Sequence, residues 1–249
     1  MSEIILNERE WVENALDRRE LGKKPVETIG RLARYLYFEG YRKDEICSRI
    51  EDFLIKCDPT INVIKWQGII DSVAKNAGKY KLIDVEGVQV THSEMERIGR
   101  LKGKMLQKLM FTILCIAKYR NAVSETNNSW VNYDAKDIFA LANITVASKR
   151  KSLMINDLWR EGYIGYSRVV DNVNINVKII DEDSEQLVFI NDFRNLGNQY
   201  MSLVGNGYVK CAECGIVIKR TSPSKKYCKA CADRIHLRQS LDSYYKSVS

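Results

Sequence analysis

Four cysteines near the C-terminus constrain this chain more than any other feature. Cys211 and Cys214 form one C-x2-C pair, Cys228 and Cys231 form a second, and thirteen residues separate the pairs. Zn²⁺ takes four ligands in a tetrahedron, and two cysteines two residues apart can bend round one ion through a tight turn. Gly215 follows the first pair, and glycine suits the positive φ of such a turn. The spacing therefore predicts one closed, structural Zn²⁺ site.

The residues around the cysteines predict a small module. Between the pairs, IVIKR is apolar and β-branched and TSPSKK is turn-like, which together predict a hairpin; a helical pattern follows the second pair. This order resembles a treble-clef or zinc-ribbon finger. Two disulfides, or scattered core cysteines, are the alternatives, but disulfides need an oxidising compartment and no secretory segment is visible. His236 is near in sequence, but four cysteines fill the shell, so we interpret it as a solvated helix residue.

Positive charge is concentrated in two segments. The net charge is +7; residues 210–249 hold nine Lys/Arg against three Asp/Glu, and residues 95–160 hold twelve against five. The remaining residues are net acidic. Two basic segments on an acidic frame indicate a polyanionic partner, although basic residues also serve merely to solvate helix faces.

The predicted fold class is mostly α with small β hairpins, in three domains. Residues 1–90 form a helical N-terminal domain, 91–200 a winged-helix domain, and 201–249 a zinc-finger module with a C-terminal helix. Helical spacing predicts N-terminal helices over 8–21, 26–38 and 61–77, and another capped by Asp44. Aromatic residues 35, 37, 38 and 41 could stack on nucleic-acid bases, but such groups are more often buried, so we assign them to the core. This domain is also a candidate contact for a protein partner.

The winged-helix prediction rests on the order of elements in residues 105–180. Thr91 with Glu94 and Ser93 with Glu96 both fit the spacing of a capping box, which predicts the start of a helical run that continues to Tyr119. A short strand WVNY, two further helices and a two-stranded hairpin follow. Residues 158–164, with the pattern L-x4-Y-I, resemble the exit of a recognition helix into the wing of winged-helix regulators.

That resemblance implies a recognition helix over residues 145–162. Its first turns meet DNA in helix-turn-helix docking, while Leu153, Met154, Leu158 and Trp159 are expected to face the core. The wing carries few cations, Arg168 and Lys178 among them, so a wing contact with the minor groove is weakly supported. The candidate nucleic-acid-binding residues on this helix are Thr145, Ser148, Lys149, Arg150 and Lys151. Those on the finger are Lys219, Arg220, Lys225, Lys226, Arg234 and Arg238.

The pattern of residues 181–209 predicts an acidic turn, a strand LVFI that joins the wing sheet, and a short helix and loop that link to the finger.

The sequence contains no recognisable set of catalytic residues: there is no Walker A loop and no H-E-x-x-H motif, and the chain has only two histidines. Asp181, Asp183 and Glu185 could bind Mg²⁺, which keeps a nucleic-acid enzyme as a third hypothesis, but carboxylates in a turn are usually just solvated. We expect a protein that is not an enzyme.

The pattern YC-x2-CA at residues 227–232, combined with the winged-helix order, is similar to small proteins of bacteriophages and plasmids. The resemblance implies a nucleic-acid-binding protein, with DNA favoured over RNA, that acts in transcription regulation or replication. The alternative is a protein-interaction factor that docks on a polymerase or another nucleoprotein complex and modulates it. With no apolar run of transmembrane length and no signal peptide, we expect no membrane contact and a cytoplasmic location, in the host cytoplasm if the protein is phage-encoded.

Overall fold

The computed structural model describes residues 4–167 and 174–248, which divide into two compact units. One unit is Ile5–Glu86, and the other comprises the residues from Gly87 onward together with the N-terminal end. The described residues are mostly helical, with small antiparallel sheets and a C-terminal cluster of cysteines, which confirms the coarse fold class. The finer division into three domains stays a prediction. None of the helices in the described part of the chain is long and apolar enough to cross a membrane.

Four α-helices and short 3₁₀ turns build the N-terminal unit. They are α1 (Glu8–Arg18), α2 (Pro25–Phe38), α3 (Lys43–Cys57), a 3₁₀ turn (Val63–Trp66), α4 (Gln67–Asn76) and a second 3₁₀ turn (Ala77–Lys79). The Asn7 side chain caps α1 by accepting from the amide of Glu10, and Pro25 starts α2 with its φ already fixed for a helix. Arg42 occupies the N-cap position of α3, so the prediction that Asp44 caps this helix was wrong by two residues.

Apolar residues from all four helices form the core of this unit. Its buried members include Val12, Ile29, Leu32, Leu36, Ile46, Ile50, Phe53, Leu54 and Ile70. Glu8 is also buried, and it is stabilised by two short hydrogen bonds from Arg34 and one from the amide of Ile83. Tyr37 and Phe38 lie half exposed at the end of α2, so their assignment to the core was wrong. Their rings pack edge to face on each other, and the Tyr37 ring also lies against Gly78 in the second 3₁₀ turn.

A long buried helix organises the C-terminal unit. The elements are β1 (Val88–Thr91), α5 (His92–Gly99), α6 (Lys104–Ser124), β2 (Trp130–Val131), α7 (Ala135–Leu141), α8 (Ser148–Arg160), β3 (Ile164–Tyr166), β4 (Ile175–Val177), β5 (Gln186–Ile190), α9 (Leu196–Val204), β6 (Tyr208–Lys210), β7 (Val217–Lys219) and α10 (Lys229–Val248). Helix α6 is buried along most of its length and contacts α5, α7, α8, α9 and three strands. It therefore acts as the hub on which the other elements pack.

The helical run predicted from Thr91 to Tyr119 is two helices. The capping box predicted at Thr91 and Glu94 is present and starts α5. The chain then breaks at Gly103, whose φ of +91° is open to glycine but strained for other residues. Gln107 bridges the break by donating to the carbonyl groups of Gly99 and Leu101. The break lets α5 and α6 contact each other instead of forming one rod.

Three small antiparallel sheets are present among the described residues of this unit. β1 pairs with β5, β2 and β3 flank β4, and β6 pairs with β7. The prediction that LVFI joins the wing sheet was wrong, because these residues form β5 and pair with β1 through Val88 and Ile190. The predicted wing residue Arg168 lies outside the described residues, whereas Lys178 is exposed just after β4.

A buried ion pair links the first turn of α5 to the C-terminal half of α6. The ammonium of Lys118 lies 2.8 Å from the carboxylate of Glu94, and neither side chain is more than 8% exposed. Glu94 also accepts hydrogen bonds from the backbone amides of Thr91 and Asp181. Removal of either partner would strongly lower the stability of the fold, because the other charge would stay buried without a partner.

Helix α9 is part of the core, so its prediction as linker was wrong. Its first five residues are buried, and it packs along α6, with Tyr200 in contact with Phe111. The hydroxyl group of Tyr200 donates to the side-chain carbonyl of Gln107. Helix α9 also contacts both strands of the β6–β7 hairpin, which brings the C-terminal module onto the body of the unit.

Candidate metal centre and basic surface

The four cysteines are brought together by the hairpin and the start of α10. Cys211 follows β6 and begins a tight turn that ends at Gly215. Two backbone hydrogen bonds close this turn: the amide of Gly215 donates to the carbonyl of Cys211, and the amide of Cys211 donates to the carbonyl of Ile216. Gly215 has a φ of +74°, as its position after the first pair predicts. Cys228 and Cys231 lie where α10 begins, and the amide of Ala212 donates to the carbonyl of Lys226 to hold the two turns side by side.

The sulfur atoms are spaced as a tetrahedral metal site requires. All four lie within 4.8 Å of one another, and Cys214 and Cys228 are 3.8 Å apart. Four sulfurs about 2.3 Å from one ion at the corners of a tetrahedron are about 3.8 Å apart, whereas a disulfide needs about 2.05 Å. The cysteines are free thiols, so the alternatives of two disulfides and of scattered core cysteines are both wrong for this cluster. The site can hold one metal ion.

Hydrogen bonds around the cluster favour thiolate sulfur. Cys211 Sγ accepts from the amide of Cys228, Cys228 Sγ accepts from the amide of Cys231, and Cys231 Sγ accepts from the guanidinium of Arg234. Donors of this kind orient metal ligands and stabilise their negative charge. Arg234, predicted as a phosphate contact, is therefore already engaged at the metal centre.

Protons are held unequally in the cluster. Burial opposes ionisation of Cys211, but backbone N–H groups directed at its sulfur outweigh this and lower its pKa to about 6. Burial and the neighbouring cysteine sulfurs raise the pKa of Cys231 to about 12. A divalent ion that binds all four sulfurs must displace the remaining protons, which makes metal affinity depend on pH. His236 is exposed on α10 and is not part of the cluster, as its interpretation as a solvated residue requires.

Three polar side chains connect the hairpin to the segment before it and to α9. The guanidinium of Arg194 donates to the carbonyl of Cys214 at 2.7 Å. The amides of Asn195 and Asn198 both donate to the carbonyl of Val217 on β7, at 3.0 and 3.2 Å. Sequence reasoning missed all three residues. The only available signal was a cluster of amide side chains in a segment too apolar for a solvated linker.

The helix observed in place of the predicted recognition helix is α8, which begins at Ser148, three residues after the predicted start at Thr145. Thr145 lies in the turn before it and is exposed, together with Ser148, Lys149 and Arg150. Lys151 differs from these residues, because it is half-buried and its ammonium lies 5.5 Å from the centroid of the Phe139 ring. The structure therefore brings four of the five predicted residues to one exposed helix start.

The core-facing side of α8 is only partly as predicted. Met154 and Leu158 are buried, with Ile155 beside them. Leu153 and Trp159 are 44% and 49% exposed, so their assignment to the core was wrong. The ring of Trp159 lies 6.1 Å from that of Tyr166 on β3, which is also exposed.

The finger cations are mostly solvent-facing. Lys219, Arg220, Lys226 and Arg238 are exposed, and Lys225 is half-buried. Arg220 donates to the carbonyl of Pro223 within the hairpin loop. Within the described part of the chain, none of the nine predicted Lys and Arg residues of the helix and finger lies in an ion pair with a carboxylate. Apart from Arg234, which donates to Cys231 Sγ, these cations have no anionic side-chain partner among the residues that the structure describes.

The acidic turn serves a structural purpose. Asp181 accepts from the hydroxyl group of Ser93 at 2.6 Å, which lowers the pKa of its carboxyl group, and it also accepts from the amide of Asp183. The only cluster of three or more potential metal ligands among the described residues is that of the four cysteines. The carboxylates at 181, 183 and 185 thus offer little support for a Mg²⁺ site.

Comparisons with protein-family models and with solved structures found no match. The function must therefore be inferred from the cysteine cluster, the basic surface and the arrangement of the elements.

Proposed function

We propose that this chain is a non-enzymatic DNA-binding protein that acts in transcription regulation or replication, of the kind that bacteriophages and plasmids encode. The observation that carries the proposal is the set of cations on α8 and the finger that no described carboxylate neutralises. Unpaired Lys and Arg side chains on one unit provide the sequence-independent attraction to phosphates that dominates nucleic-acid affinity.

The distribution of charge between the units supports the same function. Residues 5–86 hold fifteen Lys/Arg and fifteen Asp/Glu, whereas residues 87–249 hold twenty-four against sixteen. The entire positive excess therefore belongs to the unit that carries α8 and the finger. The neutral N-terminal unit is more suitable for contact with a protein partner than with a polyanion.

We further propose that residues 104–177 form a winged helix and that α8 is its recognition helix. The order α6, β2, α7, α8, β3, β4 supports this, and so does the sheet, in which β2 and β3 flank β4. In helix-turn-helix docking, the N-terminal residues of the recognition helix contact base edges. Lys149 and Arg150 would then bind the phosphates that flank the major groove, and Ser148 and Thr145 would lie beside the base edges.

The metal of the cluster is proposed to be Zn²⁺ in a structural role. Four thiolates in a tetrahedron are typical of structural zinc sites, and they leave no position open for a substrate or a reactive water. The site residues are Cys211, Cys214, Cys228 and Cys231. The ion would hold the hairpin and the start of α10 together.

A mobility shift with a random-sequence 30-bp DNA duplex, measured across a range of salt concentrations, tests the function. We expect binding at low salt that weakens steeply as salt increases. Absence of binding at low salt would refute DNA recognition. Selection of bound duplexes from a random pool, followed by sequencing, then shows whether α8 reads bases. Incubation with Mg²⁺ and labelled nucleic acid should leave the substrate intact.

Protein docking is the second candidate, and the exposed side chains of Leu153, Trp159 and Tyr166 favour it. All three are more than 40% exposed on neighbouring elements of the C-terminal unit. Aromatic residues of this kind frequently anchor protein interfaces. Replacement of Trp159 by Ser should weaken co-purification of a polymerase or other partner while DNA affinity stays unchanged; the opposite result would favour a role in DNA binding.

A further inference from the structure

The hairpin of the finger is joined to the helix-turn-helix by a polar chain of contacts through α9. Asn198 donates to Val217 on β7, and the carbonyl of the same Asn198 side chain accepts from Asn143 in the turn between α7 and α8. The backbone carbonyl of Asn143 in turn accepts from Lys108 of α6. One side chain thus connects the finger directly to the turn that precedes the proposed recognition helix.

Close backbone packing reinforces this connection. Gly197 lies so near the end of α7 that a Cβ atom there would be 1.7 Å from the carbonyl oxygen of Ala142 and 2.7 Å from Lys108 Cε. No side chain can occupy that space, so α9 lies directly against the helix-turn-helix backbone. With Asn195 and Asn198 bound to β7, the hairpin has a fixed position relative to α8.

Two lysines lie at this junction, because Lys108 donates to the carbonyl of Asn143 and Lys219 is two residues after Val217 on β7. Lys108 is half-buried, and both burial and the nearby ammonium of Lys219 on β7 lower its pKa. Neither lysine forms an ion pair with a carboxylate in the described ranges. Two like charges held together without a protein anion are stabilised by an external one, and a phosphodiester group is the anion that a nucleic-acid-binding protein meets.

The junction also fixes how far apart the two basic groups are. Ser148 is the fifth residue after Asn143, and an extended chain spans at most about 3.6 Å per residue. The start of α8 therefore lies within about 18 Å of the junction, whereas one turn of duplex measures about 34–36 Å. Both groups fall within a single turn of DNA.

We infer that the finger hairpin and the helix-turn-helix form one rigid surface that binds a single turn of duplex DNA, with Lys108 and Lys219 sharing a backbone phosphate at the junction. This inference rests on the proposed DNA-binding function and specifies its ligand as a duplex. A-form RNA is a less suitable partner, because its deep and narrow major groove does not admit a recognition helix.

The test measures DNA affinity of the full chain by fluorescence anisotropy on a 16-bp DNA duplex and on one of its strands, between 50 and 200 mM salt. Lys219→Gln and Lys149→Gln should each reduce the slope of log affinity against log salt by about 0.9, and the double variant by about 1.8. Lys75→Gln, an exposed lysine of the neutral N-terminal unit, is the matched control and should leave the slope unchanged.

The rigid connection between the finger hairpin and α8 is tested with variants that weaken the contacts of α9. In Gly197→Ala, or in the milder Asn195→Ala, the finger should keep its metal while Lys219→Gln no longer changes the slope. Circular dichroism and metal content show whether each variant is folded. A finger that acts as a flexible arm would keep the Lys219 contribution in both backgrounds, and this result would overturn the inference.

The outcomes separate the inference from the proposed function. If the wild-type chain binds no DNA, the proposed function fails. If it binds duplex and Lys149→Gln lowers the slope while Lys219→Gln does not, the function stands and the shared surface is wrong. An effect of Lys219→Gln on the single strand alone would equally overturn the assignment to duplex.

Discussion

Replacement of Lys149 and Arg150 by glutamine tests the assignment of the recognition helix most directly. Both side chains are exposed in the first turn of α8, and neither has a carboxylate partner among the described residues. Each phosphate contact contributes about 0.9 to the salt slope on B-DNA, so the double variant should lose about 1.8. When salt is raised from 50 to 200 mM, the loss of affinity should therefore be about twelvefold larger for the wild type than for the double variant.

Lys151→Gln is the internal comparison, since this lysine lies two residues from Lys149 but is arranged differently. It is half-buried and its ammonium lies over the ring of Phe139. Its replacement should cost about 0.5–1 kcal/mol of stability through the lost cation–π contact and leave the slope nearly unchanged. Anisotropy titrations at four salt concentrations measure all three slopes. If Lys151→Gln lost as much slope per residue as the double variant, or if the double variant lost none, the placement of the DNA on this helix face would be refuted.

Further perturbations test the metal centre, the buried ion pair and the helix break. Cys228→Ala removes one thiolate, so metal per purified chain, measured by mass spectrometry, should fall from one towards zero; full retention would contradict the site. Lys118→Met should cost about 3–5 kcal/mol in urea unfolding by isolating the Glu94 carboxylate, and adding Glu94→Gln should recover part of that loss. Gly103→Ala should cost more than about 1 kcal/mol, because alanine is strained at its positive φ; an unchanged unfolding midpoint would show that the break relaxes.

The cysteine cluster was predictable because its determinants are local in sequence. Two C-x2-C pairs and Gly215 define the turns by themselves, and no distant residue is required to bring the sulfurs together. The capping box of Thr91 and Glu94 was predictable for the same reason. The partner of Glu94 was not, since Lys118 lies 24 residues away on another helix and no local pattern pairs the two residues.

Residues 186–204 were misjudged because their contacts are distant in sequence. The strand LVFI pairs with Val88–Thr91, almost a hundred residues earlier, where a nearer hairpin was the simpler expectation. Helix α9 has amide side chains that look solvated in the sequence, yet Asn198 is buried, donates to the carbonyl of Val217 and accepts from the side chain of Asn143. The polarity of a residue is therefore a poor guide to its burial wherever a buried polar side chain forms hydrogen bonds with backbone groups.

The docking of the finger changes what its cations can contribute to binding. A basic module on a flexible tether must be ordered when it binds, and that loss of freedom offsets part of the attraction between its lysines and the phosphates. Here β7 is already held by Asn195 and Asn198, and Gly197 allows α9 to pack directly on the turn before α8. Under the proposed function, the module is thus ordered before it binds DNA. Each exposed finger cation would then add to affinity without the cost of ordering the module, and a bound metal would support binding by keeping β7 in place.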